Sequence, residues 1–157
     1  MAAKNSAGED VESRTLVIQR VFDAPRELVF KCWTEPEHVA RWLGPQGFTA
    51  TILAYDARPG GSYRFHMRGP DGVDHWQQGS FREFIPPERL VRTYCWADAD
   101  GNPTQAETVL TVTFDDLDGK TKLTLYQAVF DSIIARDLHE GGWASSLERL
   151  GEYLATR

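Results

Sequence analysis

The sequence predicts an α+β fold in which an antiparallel sheet of about seven strands wraps around one long carboxy-terminal helix. Three observations carry this reading. From Phe48 to Val129 the apolar residues come in short β-type runs, several of them alternating apolar with polar, separated by turn residues. From Ala135 to Thr156, Trp143, Leu147, Leu150 and Leu154 recur at helical spacing with Leu138 a turn and a half earlier, while Glu140, Glu148, Arg149 and Glu152 fall on the other side. Every connection between the runs is short enough for an antiparallel meander, so the strands' apolar face and the helix's apolar stripe must cover each other.

The elements follow in order. Arg14 to Phe22 is apolar and β-branched over a strand's length. Asp23-Ala24-Pro25 offers a polar cap and a proline for a first helical turn, and Leu28, Val29, Cys32 and Trp33 continue at helical spacing to about Thr34. Thr34-Glu35-Pro36-Glu37 has the form of a capping box opening a second helix, which carries Val39, Trp42 and Leu43 and stops at Gly44-Pro45. Six strands are expected at Phe48–Tyr55, Gly61–Arg68, Val73–Phe84, Leu90–Ala97, Glu107–Asp115 and Thr121–Val129. A bulge near Gly79 would switch the faces of the residues after it, which leaves open whether Phe81 or Phe84 points inward. Ala97 to Ala106 reads as unstructured, and residues 1–13 as a disordered polar tail before a single domain spanning 14–157.

Composition narrows the function classes. The chain has 157 residues, enough for one core, and 17 basic against 23 acidic residues give a net charge of −6. With no basic block, neither a nucleic acid nor an anionic membrane is an expected partner. Cys32 and Cys95 lack framework spacing and read as small buried hydrophobes in a reducing compartment. The first thirteen residues have no apolar run, so they read as neither a signal peptide nor an anchor, and a cytoplasmic location is expected.

Four stretches carry a family resemblance: RVFDAPRELVFKCWTEPEHVARWLGP, DARPGGSYRF, GSFREFIPPERLV and EGGWASSLERLGEYL, in this order and across almost the whole folded chain. The sequence resembles a stand-alone, single-domain member of the START-like (Bet v-like, SRPBCC) superfamily, in the branch named for the activator of heat-shock-protein-ninety ATPase homologues. The resemblance implies a helix-grip fold. It also implies a choice of roles, because that scaffold carries ligand carriers, cyclases, oxygenase subunits and chaperone partners.

A sheet gripping a helix leaves an interior that side chains fill or a ligand occupies. The residues expected to line a ligand cavity are Trp33, Trp42, Phe48, Phe65, Met67, Trp76, Tyr94, Trp96 and Tyr126 from the body of the chain, with Gly142 and Trp143 from the last helix. The Gly141-Gly142 pair costs about 1 kcal/mol per glycine in a helix, so it marks either close backbone packing or space left for a ligand. No phosphate-binding loop, nucleophile elbow, CxxC or HExxH occurs, so no catalytic residue, metal site or cofactor is assigned. One polar pair stands out. If Arg68 pairs with Val73 across the Gly69–Gly72 turn, His66 lies opposite His75, on the face away from Tyr63, Phe65 and Met67. His38 and His139 read as ordinary surface residues of helices. The sequence thus points to binding of a small hydrophobic ligand without catalysis. The alternatives are a stress-response module contacting a heat-shock chaperone, implied by the family name, and a cyclase- or hydrolase-like enzyme using the histidines or a buried Glu or Arg.

Overall fold

The structure is a computed structural model and describes residues 10–157. The first nine residues of the expected tail lie outside the described residues; Glu12–Arg14 form a single 3-10 turn, and the Arg14 guanidinium donates to the Phe130 carbonyl at 3.1 Å. The chain then runs β1 (Leu16–Phe22), α1 (Arg26–Thr34), α2 (Pro36–Trp42), β2 (Thr49–Tyr55), β3 (Ser62–Arg68), β4 (Asp74–Ile85), β5 (Arg89–Ala97), β6 (Thr108–Leu117), β7 (Lys120–Ala128) and α3 (Ile133–Ala155). The sheet order is β1-β7-β6-β5-β4-β3-β2, antiparallel throughout, so α1 and α2 carry the chain from one edge strand to the other.

Alternation places the core. Leu110, Val112 and Phe114 of β6 and Leu123 and Leu125 of β7 are fully buried on the face that meets α3. From α3 they meet Trp143, Leu147, Leu150 and Leu154, all buried. Leu138 departs from the expected stripe and is 72% exposed. Five residues before Trp143 is roughly 140° around a helix, off the buried side.

The expected capping box does not form. Pro36 occupies the first position of α2 and Glu35 is its N-cap without a side-chain bond, while buried Thr34 still belongs to α1 and donates its hydroxyl to the Phe30 carbonyl at 2.9 Å. The bulge also sits elsewhere. The register of β4 with β5 is the same on both sides of Gly79 and slips between Phe81 and Glu83, which puts the extra residue at Arg82. A residue inserted between Phe81 and Phe84 restores their parity, so Phe81 is buried, Phe84 packs against the core, and the two rings meet edge to face. Gly79 has a different reason: a Cβ there would lie 2.1 Å from the Thr93 carbonyl oxygen, so only glycine allows β4 this close to β5.

Residues 97–106 are ordered, contrary to expectation. Asp98 accepts from the Asp100 and Asn102 amides, Ala97 bridges to Pro103, and Arg64 donates to the Asp98 and Ala99 carbonyls. Both cysteines are free and buried. Among the described residues no helix is long and apolar enough to cross a membrane, and no cluster of three potential metal ligands occurs.

Candidate functional site

Between the amino-terminal half of α3 and the inner face of β3–β5 lies a cavity of about 420 Å³. Met67 of β3, His75 and Gln77 of β4, and Tyr94 and Trp96 of β5 form the sheet wall. His139, Gly142, Trp143 and Ser146 of α3 face them, and the connection from α2 to β2 closes one side with Leu43, Pro45 and Phe48. The glycine pair has no packing reason here. A Cβ at Gly141 would touch nothing within 4 Å, and one at Gly142 would meet only the Pro45 ring at 3.9 Å. Gly142 therefore leaves open space in the helix wall.

Six of the eleven residues expected at a ligand site border this cavity: Phe48, Met67, Tyr94, Trp96, Gly142 and Trp143. Trp33, Trp42 and Phe65 lie behind it in the closed core. The Trp33 ring stacks on Trp143 at 5.6 Å and meets Trp42 at 4.9 Å, and the Trp42 indole donates to the Cys32 carbonyl. Trp76 and Tyr126 are corrections, since both lie on the outer face of the sheet. Tyr126 alternates with the buried Leu125 and Gln127 and is 45% exposed. Trp76 stacks on His66 with ring centroids 5.0 Å apart.

The position of Trp76 follows from the β3–β4 register. Arg68 pairs with Asp74 rather than Val73, because the hairpin loop is one residue longer than expected and closes with the Gly69 amide on the Val73 carbonyl. His66 therefore opposes Trp76, and His75 opposes Met67 on the inner face. The expected histidine pair does not exist. His66 instead bonds Asp74 at 2.9 Å beside Arg68, and these two partners hold the Asp74 carboxyl down at about 2.

His75, Gln77, His139 and Ser146 are cavity residues that sequence reading did not assign. Parity could have found Gln77, which is two residues from His75 and four from buried Phe81, but only with the register known. His139 is tied into the wall rather than free at the surface: its Nε2 accepts from the Trp96 indole at 2.8 Å and its Nδ1 donates to the Ala135 carbonyl at 2.7 Å. That pairing places the single proton of a neutral ring on Nδ1, and burial pushes the His139 pKa down. Buried Gln127 fixes the neighbouring indole, accepting from Trp143 Nε1 at 2.8 Å and donating to the Thr108 hydroxyl at 2.8 Å. Arg149 secures the third wall by donating to the Leu43, Gly44 and Pro45 carbonyls.

A buried cation lies in the core alongside. Arg92 is 1% exposed, donates to the Tyr55 hydroxyl at 3.2 Å and places its guanidinium 4.6 Å from the Tyr63 ring centre. The Phe65 and Trp33 rings flank it at 5.6 and 5.9 Å. It has no carboxylate among the described residues, and aromatic faces take that role. None of the described residues lining the cavity is Lys, Arg, Asp or Glu. The arrangement can enclose an apolar molecule and offer it neutral hydrogen-bonding groups.

The sequence pattern of one protein family, described as Activator of Hsp90 ATPase homolog 1-like protein, matches residues 23–155. A solved protein of Chromobacterium violaceum is 30% identical, with a TM-score of 0.81 over 89% of this chain and 96% of its own. One from Arthrobacter aurescens is 28% identical, with a TM-score of 0.85 over 94% and 90%. An AHSA1 protein of Silicibacter pomeroyi, 24% identical, shares the fold with a TM-score of 0.82 over 90% and 98%. No curated protein sequence matches the chain.

Proposed function

The chain belongs to the family of Activator of Hsp90 ATPase homolog 1-like proteins, and from that premise we propose that it binds a small hydrophobic molecule, without catalysis, between the sheet and α3. The observation that carries this reading is the cavity of about 420 Å³, left open where Gly142 withholds a side chain and walled by Phe48, Met67, Tyr94, Trp96 and Trp143. A volume of this size lies within the usual range for small-molecule sites. A ligand burying roughly 300 Å² of apolar surface at about 25 cal/mol per Å² gains about 7 kcal/mol before association costs, so apolar burial alone reaches at best a dissociation constant of roughly ten micromolar, and those costs weaken it further.

Native mass spectrometry of freshly purified protein, followed by solvent extraction, tests the reading without a guess at the ligand. The expected result is a bound mass of a few hundred daltons that is absent from a folded Gly142→Leu variant, whose side chain projects into the space. An equal bound mass in that variant would place the ligand elsewhere.

A further inference from the structure

Three side chains of the cavity wall are almost wholly buried yet carry polar groups with no protein partner. Tyr94, Gln77 and Ser146 are 5%, 2% and 3% exposed. The Tyr94 hydroxyl and the Ser146 hydroxyl make no hydrogen bond among the described residues, and the Gln77 amide is held at one end only, where its Oε1 lies 3.3 Å from the Tyr63 hydroxyl, whose one proton it shares with the nearer Thr93 carbonyl at 2.7 Å. Buried polar groups are nearly always paired, and an unpaired one is costly. Among the described residues, the side-chain donors sealed in the core without a partner are others, Trp33 Nε1 and Arg92 Nε. The three here instead border open space, so their missing partners are groups that enter the cavity.

Of the other polar groups nearby, the Trp96 indole is committed to His139 and the Trp143 indole to Gln127, while the His75 ring and the Gln105 amide border the space without a side-chain hydrogen bond but are less buried. The buried groups left to meet a ligand are neutral, the amide nitrogen of Gln77 and two hydroxyls, within walls that are otherwise mainly apolar. Burial raises the Tyr94 pKa, so its phenol keeps its proton and can donate. Among the described residues no Lys, Arg, Asp or Glu lines the space to meet a charged group, and Arg92 lies behind Tyr63, bonded to Tyr55.

Resting on the ligand-binding reading, we propose that this site selects ligands with an apolar body and an uncharged oxygen head, a hydroxyl or carbonyl, held by Gln77, Tyr94 and Ser146. It discriminates against both plain hydrocarbons and carboxylates of the same shape. A hydrocarbon leaves the three groups unpaired, and a carboxylate brings a charge into a wall without a cation.

Three probes sharing one body test this: naphthalene, 2-naphthol and 2-naphthoate, titrated at about pH 8, where unperturbed imidazoles are neutral, and followed by tryptophan fluorescence. The expected order has 2-naphthol binding at least about tenfold tighter than either of the others. The triple variant Gln77→Leu, Tyr94→Phe, Ser146→Ala brings 2-naphthol to within about threefold of naphthalene while naphthalene affinity is retained. If the triple variant fails to fold, the Tyr94→Phe, Ser146→Ala double variant, which removes only two unpartnered oxygens, should lose at least about threefold of the preference. Naphthalene or 2-naphthoate binding as tightly as 2-naphthol, or a folded variant that keeps the preference, overturns the selectivity and leaves the cavity reading standing. Failure of all three probes to bind the unaltered protein overturns both.

Discussion

At the scale of single residues, His139 links protonation to the integrity of the cavity wall. Its Nε2 accepts from the Trp96 indole, so an imidazolium would set two N–H donors against each other. The groups packed around it offer no compensating charge: Tyr94, Trp96 and Phe130 from the body, with Arg136 and Glu140 on its own helix already paired to each other. Asp131 borders the same small recess behind the ring but is exposed. Because the native pKa is lowered from 6.5, the unfolded chain takes the proton first. His139 thus contributes stability that is fully present above about pH 6.5 and lost as pH falls toward the native pKa. Thermal midpoints measured across this range should fall more steeply for the unaltered protein than for His139→Leu, and parallel curves would remove the linkage. Arg92 makes a different prediction. A buried cation with one hydrogen bond and three ring faces has lost more hydration than its contacts restore, so Arg92→Met should be neutral or stabilising by about 1–2 kcal/mol in urea denaturation. A clear loss would mean that the ring faces hold the cation better than apolar packing would.

At the scale of elements, the join between β7 and α3 is polar at its centre. Gln127 has an inward position where hydrophobic alternation favours an apolar residue, and both ends of its amide are used, one by Trp143 and the other by Thr108. Gln127→Met keeps the volume and leaves the buried Trp143 indole without an acceptor, at a cost of about 1–3 kcal/mol. Chemical denaturation measures that cost, and a shift in tryptophan emission reports the freed ring. Strand limits were legible to within a residue or two, because glycine, proline and aspartate mark the turns. The junction of α1 and α2 was not read correctly. The Thr-Glu-Pro-Glu pattern fits a capping box, yet the threonine stays inside the first helix, where its hydroxyl donates back to the Phe30 carbonyl.

At the scale of the whole molecule, the proposed binding is coupled to folding, since the cavity lies between the sheet and α3. A molecule bridging β3–β5 and α3 binds only the folded chain. At a hundred times its dissociation constant it should add about 2.7 kcal/mol, raising the thermal midpoint by roughly 5–10 °C for a domain of this size. Scanning calorimetry with increasing 2-naphthol checks this, and a flat response at saturating occupancy would contradict it. Such a gain should vanish in Gly142→Leu.

The sequence by itself determined the element order, the single sheet and the helix that covers it, because hydrophobic period and turn chemistry are local properties that survive without tertiary contacts. It also identified Gly142 and Trp143, whose oddity lies within one helix. Which side chains face the cavity was decided only by the tertiary structure. One extra residue in the hairpin after Arg68 turned His75 inward and Trp76 outward, and the bulge at Arg82 brought both Phe81 and Phe84 inside. Strand faces alternate with a period of two, so a register change of one residue exchanges every face beyond it, and register is set by pairing between strands rather than by the composition of either.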